Sequence, residues 1–447
     1  MGLRSVFKKR ARVSSGLYTY RGSGQFAGLA LQLRIEPEGE GLLVINANTV
    51  LYLNQSAAAH AYFFMHGLST DDAVRELRRI YKISAENARK DHEQLIYNIS
   101  TLAQTEDVCP FSYLDIEKAE PFSHEASAPI RMDLALTFRC QNDCVHCYAG
   151  GPHETPELST DDWKKVIDKL KALGIFIITF TGGEPTLRDD LPELLAYAQN
   201  LGIVTGLITN GRRLKDGSYA KRLHDSGLDF AQITLESHSP EVHDAITKSP
   251  GSWQETVEGI KTILRTHIYV TTNTTLNRMN VGNFLDTVQF IHDLGVRAFG
   301  FNSIIYSGKA PAIAEGFALS IEELKDILSK IPVKASALDM KFNWFTPTQY
   351  CSLNPLSMNL GVKSCSACRV NMCVGPHGDV YPCQSYFESL GNILKDDWNS
   401  IWNHPLCKEI RGRKYAPEKC KDCPELQICG AGCPLELKEE GYICQTV

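Results

Sequence analysis

In LALQLRI, apolar Leu29, Leu31, Leu33 and Ile35 alternate with Ala30, Gln32 and Arg34, the period of a half-buried strand. GLLVIN and TVLYLN repeat the signal on either side of a turn at Ala47 and Asn48. The period then lengthens. SAAAHAYFFMHG, STDDAVRELRRIY and SAENARKDHEQLIYNISTL predict three helices, the second capped by Ser69 with Asp72 three residues on. Residues 1–105 therefore read as a winged-helix-like α+β domain.

A linker over 106–130, punctuated by Pro110, Pro121 and Pro129, leads to a region in which strand and helix patterns alternate. Its strands are MDLALTF, IFIITF, IVTGLIT, DFAQITL, YVTTNTTL and RAFGFNSI. Amphipathic segments such as STDDWKKVIDKLKALG and SWQETVEGIKTIL separate them. Strands joined by right-handed helical crossovers make an α/β parallel sheet, rolled into a full or partial barrel over 131–333. Chemistry in such sheets sits at the carboxyl ends of the strands. From 334 to 447 periodicity is weak, and metal rather than an apolar core is expected to hold that region together.

Composition narrows the class. No apolar run approaches the ~18 residues of a membrane span, so a soluble protein is expected. The formal charge of -6 offers no electrostatic case for nucleic acid. MGLRSV misses the myristoylation pattern at Val6, and the basic start from Lys8 to Arg12 lacks a signal-peptide core. Eleven of the 15 cysteines lie between Cys351 and Cys444. Such clustering in an unexported chain points to metal and a reducing cytoplasm, with Cys109, Cys351, Cys373 and Cys407 as small buried hydrophobes.

Chemistry enters at CQNDCVHCYAGG, where Cys140, Cys144 and Cys147 follow the first strand of the second region. Three thiolates can hold three irons of a [4Fe–4S] cluster and leave the fourth open. The alternative is a zinc site completed by His146 or His153. On the next strand TFTGGEP brings Gly182, Gly183 and Glu184, two residues that let backbone approach a ligand and one carboxylate that can pair with an ammonium.

Together these motifs resemble the radical S-adenosylmethionine superfamily, which implies a partial (β/α)6 barrel whose open iron chelates the amino and carboxylate groups of S-adenosylmethionine. By that resemblance Cys140, Cys144 and Cys147 hold the cluster, and Gly182, Gly183 and Glu184 receive the methionyl ammonium. Glu236 and Ser237 in ITLESHSPEVHDAI occupy the polar positions of the ribose-binding strand, and Asn273 in NTTLNRMN stands where the ligand is often contacted.

Downstream, Cys420, Cys423, Cys429 and Cys433 follow C-x2-C-x5-C-x3-C, preceded by CSACRVNMCVGPHGDVYPC. This resembles the SPASM extension of peptide-modifying radical enzymes, a C-terminal cysteine-rich iron–sulfur domain with two auxiliary clusters. The resemblance assigns Cys420, Cys423, Cys429 and Cys444 to one cluster. It assigns Cys365, Cys383 and Cys433 to the other, with Cys368 as fourth ligand, Cys373 as competitor, and glycine often standing in the family where Cys368 does.

The N-terminal order of elements is similar to the recognition element that binds leader peptides of ribosomally made natural products, and the whole resembles sactipeptide synthases. The implied activity is oxidative cross-linking of a precursor peptide, with three iron–sulfur clusters, S-adenosylmethionine, and a low-potential donor such as flavodoxin or ferredoxin. Epimerisation, a tetrapyrrole or other small-molecule substrate, and simple electron transfer are the alternatives.

Overall fold

The computed structural model describes residues 13–46, 49–104, 126–153 and 155–439. Lys8 to Arg12, the turn at Ala47 and Asn48, most of the 106–130 linker, Cys109 and Cys444 lie outside the described residues. Two compact units emerge, Met1–Ala128 with Leu170–Phe176, and Pro129–Lys169 with Ile177–Val447.

The first unit is an antiparallel meander of four strands followed by three helices. Its strands are β1 Gly16–Arg21, β2 Ala30–Ile35, β3 Gly41–Ile45 and β4 Thr49–Leu53, paired in that order. The sequence pattern predicts only the last three, because β1 (GLYTYR) is half exposed and carries a weak apolar alternation. In β2 the polar positions are buried too, Gln32 at 8% and Arg34 at 2% exposure. Arg34 is tolerated there because its Nε lies 2.8 Å from Glu36 Oε1, so the charge is paired.

Helices α1 Gln55–Met65, α2 Thr70–Ile80 and α3 Ala85–Gln104 complete the unit. Ser69 Oγ accepts from the Asp72 amide at 3.2 Å, as the capping pattern predicts, and Arg78 and Arg79 occupy the last turn of α2. Leu31, Leu33, Leu43, Ala58, Phe64 and Ile99 pack into one core.

Within it, His60 of α1 and His92 of α3 are 2% and 1% exposed, and their Nδ1 atoms stand 3.2 Å apart. Burial first, then the neighbouring His92, lowers His60 to a pKa of about 4, and burial lowers His92 as well. The unfolded chain therefore takes up protons below about pH 6.5 while the folded unit resists until about pH 4. Stability contributed by the pair is full above that window and falls as pH drops through it. Hydrogen exchange of the full chain is expected to show α1 and α3 amides losing protection between these limits; a flat profile would contradict the buried neutral pair.

The second unit is built on a nine-stranded sheet of order β11-β10-β9-β8-β7-β6-β5-β12-β13. The six expected strands are β5 Arg131–Thr137, β6 Ile177–Gly182, β7 Val204–Thr209, β8 Phe230–Thr234, β9 Tyr269–Thr275 and β10 Ala298–Asn302, all parallel. Crossover helices include α4 Thr160–Ala172 and α7 Pro240–Thr247, counting α5 Leu191–Asn200 and α6 Gly217–Asp225 between them. The sheet does not stop at residue 333. β11 Lys341–Trp344 adds in parallel to β10, and β12 Asn371–Val374 adds in parallel to β5 and carries β13 Val380–Tyr381.

Cysteine content alone misjudges the third region. Trp344, Leu353, Val374, Val380, Ile393 and Ile401 are all buried there, so an apolar core is present beside the thiols. Short strands and irregular turns conceal that core from a periodicity reading.

Candidate active site

The loop from Cys140 to Cys147 leaves the carboxyl end of β5 and is clamped from several sides. The amides of Asp143 and Val145 donate to the carbonyls of Thr247 and Ile246 at 3.0 and 2.9 Å, docking it on the end of α7. Arg212 Nη1 donates to Gln141 O at 3.2 Å and Asn142 Oδ1 at 2.6 Å. After β10, Lys309 donates its amide to Cys147 O at 3.0 Å and pairs its ammonium with Asp143.

Beside this loop, β6 ends in the two glycines. Gly182 has φ +139°, and a Cβ there would lie 2.1 Å from Thr137 O; at Gly183 it would lie 2.4 Å from Arg139 O. Side chains are excluded because the strand ends touch backbone to backbone. Cys140, Cys144 and Cys147 line one cavity of about 490 Å³ with Gly182 and Gly183.

Burial, then the nearby Glu184, pushes the Cys140 thiol up to about 11; burial, then Glu236, raises Cys144 well above the usual range. Such thiols ionise readily only when a cation compensates them, as cluster irons would, and binding would release their protons. Among the described residues no three His, Cys, Asp or Glu side chains converge on a single ion. Three free thiols on one loop are a donor set that would fit a [4Fe–4S] cluster. Of the histidines offered for zinc, His146 lines this cavity with Nε2 3.3 Å from Glu236 Oε1 and Nδ1 without a partner among the described residues, and His153 Nδ1 lies 2.9 Å from Gly151 O.

Two of the expected ligand residues, Glu184 and Ser237, have side chains hydrogen-bonded within the protein. Glu184 is fully buried, and four donors occupy its carboxylate: the Thr186 amide at 3.1 Å, the Thr186 and Thr209 hydroxyls at 2.5 and 2.7 Å, and the Asn210 amide at 2.8 Å. Its side chain ties the turn after β6 to the turn after β7, while Gly182 and Gly183 line the cavity. Ser237 is also fully buried and off the cavity; its hydroxyl accepts from the Ser239 amide at 3.1 Å.

Glu236 and Asn273, by contrast, do line it. Glu236 Oε2 accepts from the Thr275 amide at 3.0 Å. Asn273 Nδ2 donates to Asn302 Oδ1 at 2.8 Å, and Asn302 Nδ2 donates to Ser303 O at 2.7 Å. A carbonyl can only accept, so this chain of donors sets both amides and leaves Asn273 Oδ1 buried without a partner, an acceptor available to a bound molecule.

The same cavity is lined by Cys365, Cys383 and Cys433. Burial, then Cys365, raises the Cys383 thiol to about 12, and burial raises Cys433 also. Cys368 does not line the cavity and is paired with Cys407 in a disulfide, Cα atoms 5.4 Å apart. Its φ of 55° is left-handed, a conformation that favours glycine. Cys373, the competitor, is a buried free thiol on β12 and does not line the cavity.

Cys420, Cys423 and Cys429 lie elsewhere in the same unit. Cys429 is buried and its sulfur accepts from the Tyr350 amide at 3.2 Å, whereas Cys423 is exposed. Cys351, expected as a buried hydrophobe, is exposed instead. Cys444 belongs to the residues outside the description.

Pattern reading missed Tyr148, Asn210, Gln232 and Asn302, which all line the cavity. Each of the last three stands near the carboxyl half of a strand or just beyond it, and that placement was the signal available.

Residues 134–291 match the model of the Radical SAM superfamily, and residues 365–424 match SPASM, an iron–sulfur cluster-binding domain. Mycofactocin maturase MftC of Mycobacterium ulcerans is 28% identical over 324 residues, 70% of this chain and 85% of that one. AdoMet-dependent heme synthase of Methanosarcina barkeri is 26% identical over 71% of this chain and 96% of its own. The subtilosin biosynthesis protein AlbA of Bacillus subtilis is 25% identical over 78% of this chain and 77% of its own. In fold the chain is similar to Streptococcus suis SuiB bound to precursor peptide SuiA, with TM-score 0.68, 17% identity, and coverage of 95% of this chain and 97% of that one.

Proposed function

We propose that this chain, a radical SAM enzyme with a SPASM domain, modifies a ribosomally synthesised precursor peptide by forming a thioether or another oxidative cross-link. The observation that carries the reading is a single cavity lined both by Cys140, Cys144 and Cys147 and by Cys365, Cys383 and Cys433. When bound, the first cluster and S-adenosylmethionine supply a 5'-deoxyadenosyl radical that abstracts hydrogen.

What the chain itself does is position and exclude. The clamped loop holds three thiols, Gly182 and Gly183 admit a ligand against bare backbone, and Asn273 and Glu236 offer acceptors from β9 and the end of β8. A second set of thiols across the same cavity suits a step in which an electron must leave after a bond forms, or in which a substrate sulfur is held. The donor for the first step would be a flavodoxin or ferredoxin, and the setting the cytoplasm. Among the described residues no helix is long and apolar enough to cross a membrane.

The domain at residues 1–105 supports a peptide over a small molecule. β4 is an edge of its sheet and exposes Val50 and Tyr52, each at 43%, so a leader could add there as a further strand. The heme synthase among the relatives favours the rival small-molecule reading, which has no need of such an edge.

Coexpression with short peptides encoded beside its gene, followed by mass spectrometry, tests the choice. A loss of about two hydrogens per cross-link is expected; unchanged mass with inverted stereochemistry would mean epimerisation. Deleting residues 1–105 is expected to abolish modification at low peptide concentration while leaving uncoupled cofactor cleavage, since tethering raises the core's effective concentration. Equal modification of a leaderless core by the truncated enzyme would end the recognition role.

A further inference from the structure

Asn210 follows β7 at its carboxyl end and touches the cysteine loop and the turn after β6. Its Nδ2 lies 3.9 Å from Cys140 Sγ, within reach of a hydrogen bond to sulfur, and the Asn142 amide approaches the same sulfur at 3.4 Å. The amide orientation is set by its other end. Asn210 Oδ1 accepts from the Arg212 backbone amide at 3.1 Å and from Gln141 Nε2 at 3.3 Å. A backbone N–H can only donate, so the oxygen must face Arg212 and the NH2 must face Cys140.

The main chain is pinned as well. Its amide donates to Glu184 Oε2 at 2.8 Å, and its carbonyl accepts from Thr256 Oγ1 at 2.8 Å. Little freedom is left to be lost when a ligand sulfur needs its donor.

We propose that Asn210 is a positioning residue that raises the reduction potential of the first cluster by donating a hydrogen bond to the Cys140 thiolate. When that cluster takes one electron from a low-potential donor, no bond is made or broken and the added charge spreads onto its sulfurs. An N–H dipole already aimed at one of them stabilises the reduced state more than the oxidised one. Glu184 acts through Asn210: by holding its amide, the buried carboxylate keeps the side chain over Cys140. The inference rests on Cys140 being a cluster ligand and is independent of the substrate.

The test is an EPR-monitored redox titration of the full-length, anaerobically reconstituted enzyme without S-adenosylmethionine, using dithionite as donor. The first cluster's signal is the one absent from the Cys140, Cys144 and Cys147 alanine variant. Asn210→Ala is expected to lower the ratio of reduced to oxidised first cluster about tenfold at fixed potential, a downward shift of ~59 mV for one electron. Asn210→Asp keeps both acceptor bonds but puts a carboxylate where the donor was, and a larger downward shift is expected. Auxiliary-cluster midpoints should not move.

An unchanged or raised midpoint in both variants overturns the proposal. So does an equal shift of all the clusters, which would mean general loosening. Failure of both variants to retain a first cluster also counts against it, because a donor that tunes potential is not needed for loading. A wild-type enzyme with no first cluster would instead bring down the cluster assignment itself.

Discussion

Replacing Cys140, Cys144 and Cys147 together by alanine is expected to remove about four of about twelve irons and to abolish release of 5'-deoxyadenosine, leaving the auxiliary clusters in place. The three thiols share one loop and one cavity, and that loop is held by contacts that do not involve the sulfurs: Asp143 and Val145 to α7, Arg212 to Gln141, and Lys309 to Cys147 O. Folding should therefore survive the substitution while cluster binding does not. Iron and sulfide analysis, with chromatography of the reaction mixture, reads the outcome. Unchanged iron in a folded variant would show that the loop binds no cluster. Loss of nearly all iron would show that the three sites do not load independently.

The second large effect is expected at Glu184, and it is one of stability. In Glu184→Ala the amides of Thr186 and Asn210 and the hydroxyls of Thr186 and Thr209 lose their acceptor in a fully buried place. An orphaned buried donor costs about 1–3 kcal/mol. The hydroxyls can rotate to other acceptors but the amides cannot, so ~3–5 kcal/mol is a reasonable sum, a large part of the ~5–15 kcal/mol that holds a domain together. Glu184→Gln keeps one acceptor oxygen but points NH2 groups at remaining donors, and should fall between the two. Denaturant unfolding of the three proteins, with the expected order wild type, Gln, Ala, checks this. Equal stabilities accompanied by weaker S-adenosylmethionine binding would return the carboxylate to a direct ammonium contact.

That residue also shows how far the site was legible. The TGGEP motif was visible as a place of close backbone approach, and at both glycines the strand ends do meet backbone to backbone. Which way the carboxylate points was not visible, because its four partners come from the turns after both β6 and β7. Ser237 is a similar case, since its hydroxyl accepts from the Ser239 amide. Among the cysteines, the family resemblance grouped Cys368 with Cys365, and the structure places Cys368, on a left-handed backbone, in a disulfide with Cys407.

The sequence by itself determined the order of strands and helices from β2 to β10, the capped start of α2, and the placing of the cysteine loop and TGGEP at the carboxyl ends of neighbouring strands. Period, caps and short spacings are local, and local signals survive in one dimension. Only the tertiary structure decided that β11 and β12 extend the sheet from both sides, that Cys365, Cys383 and Cys433 share a cavity with Cys140, and that Asn210 stands over that cysteine. Those facts depend on how a parallel sheet curls and on which donors and acceptors meet when segments distant in the chain are packed together.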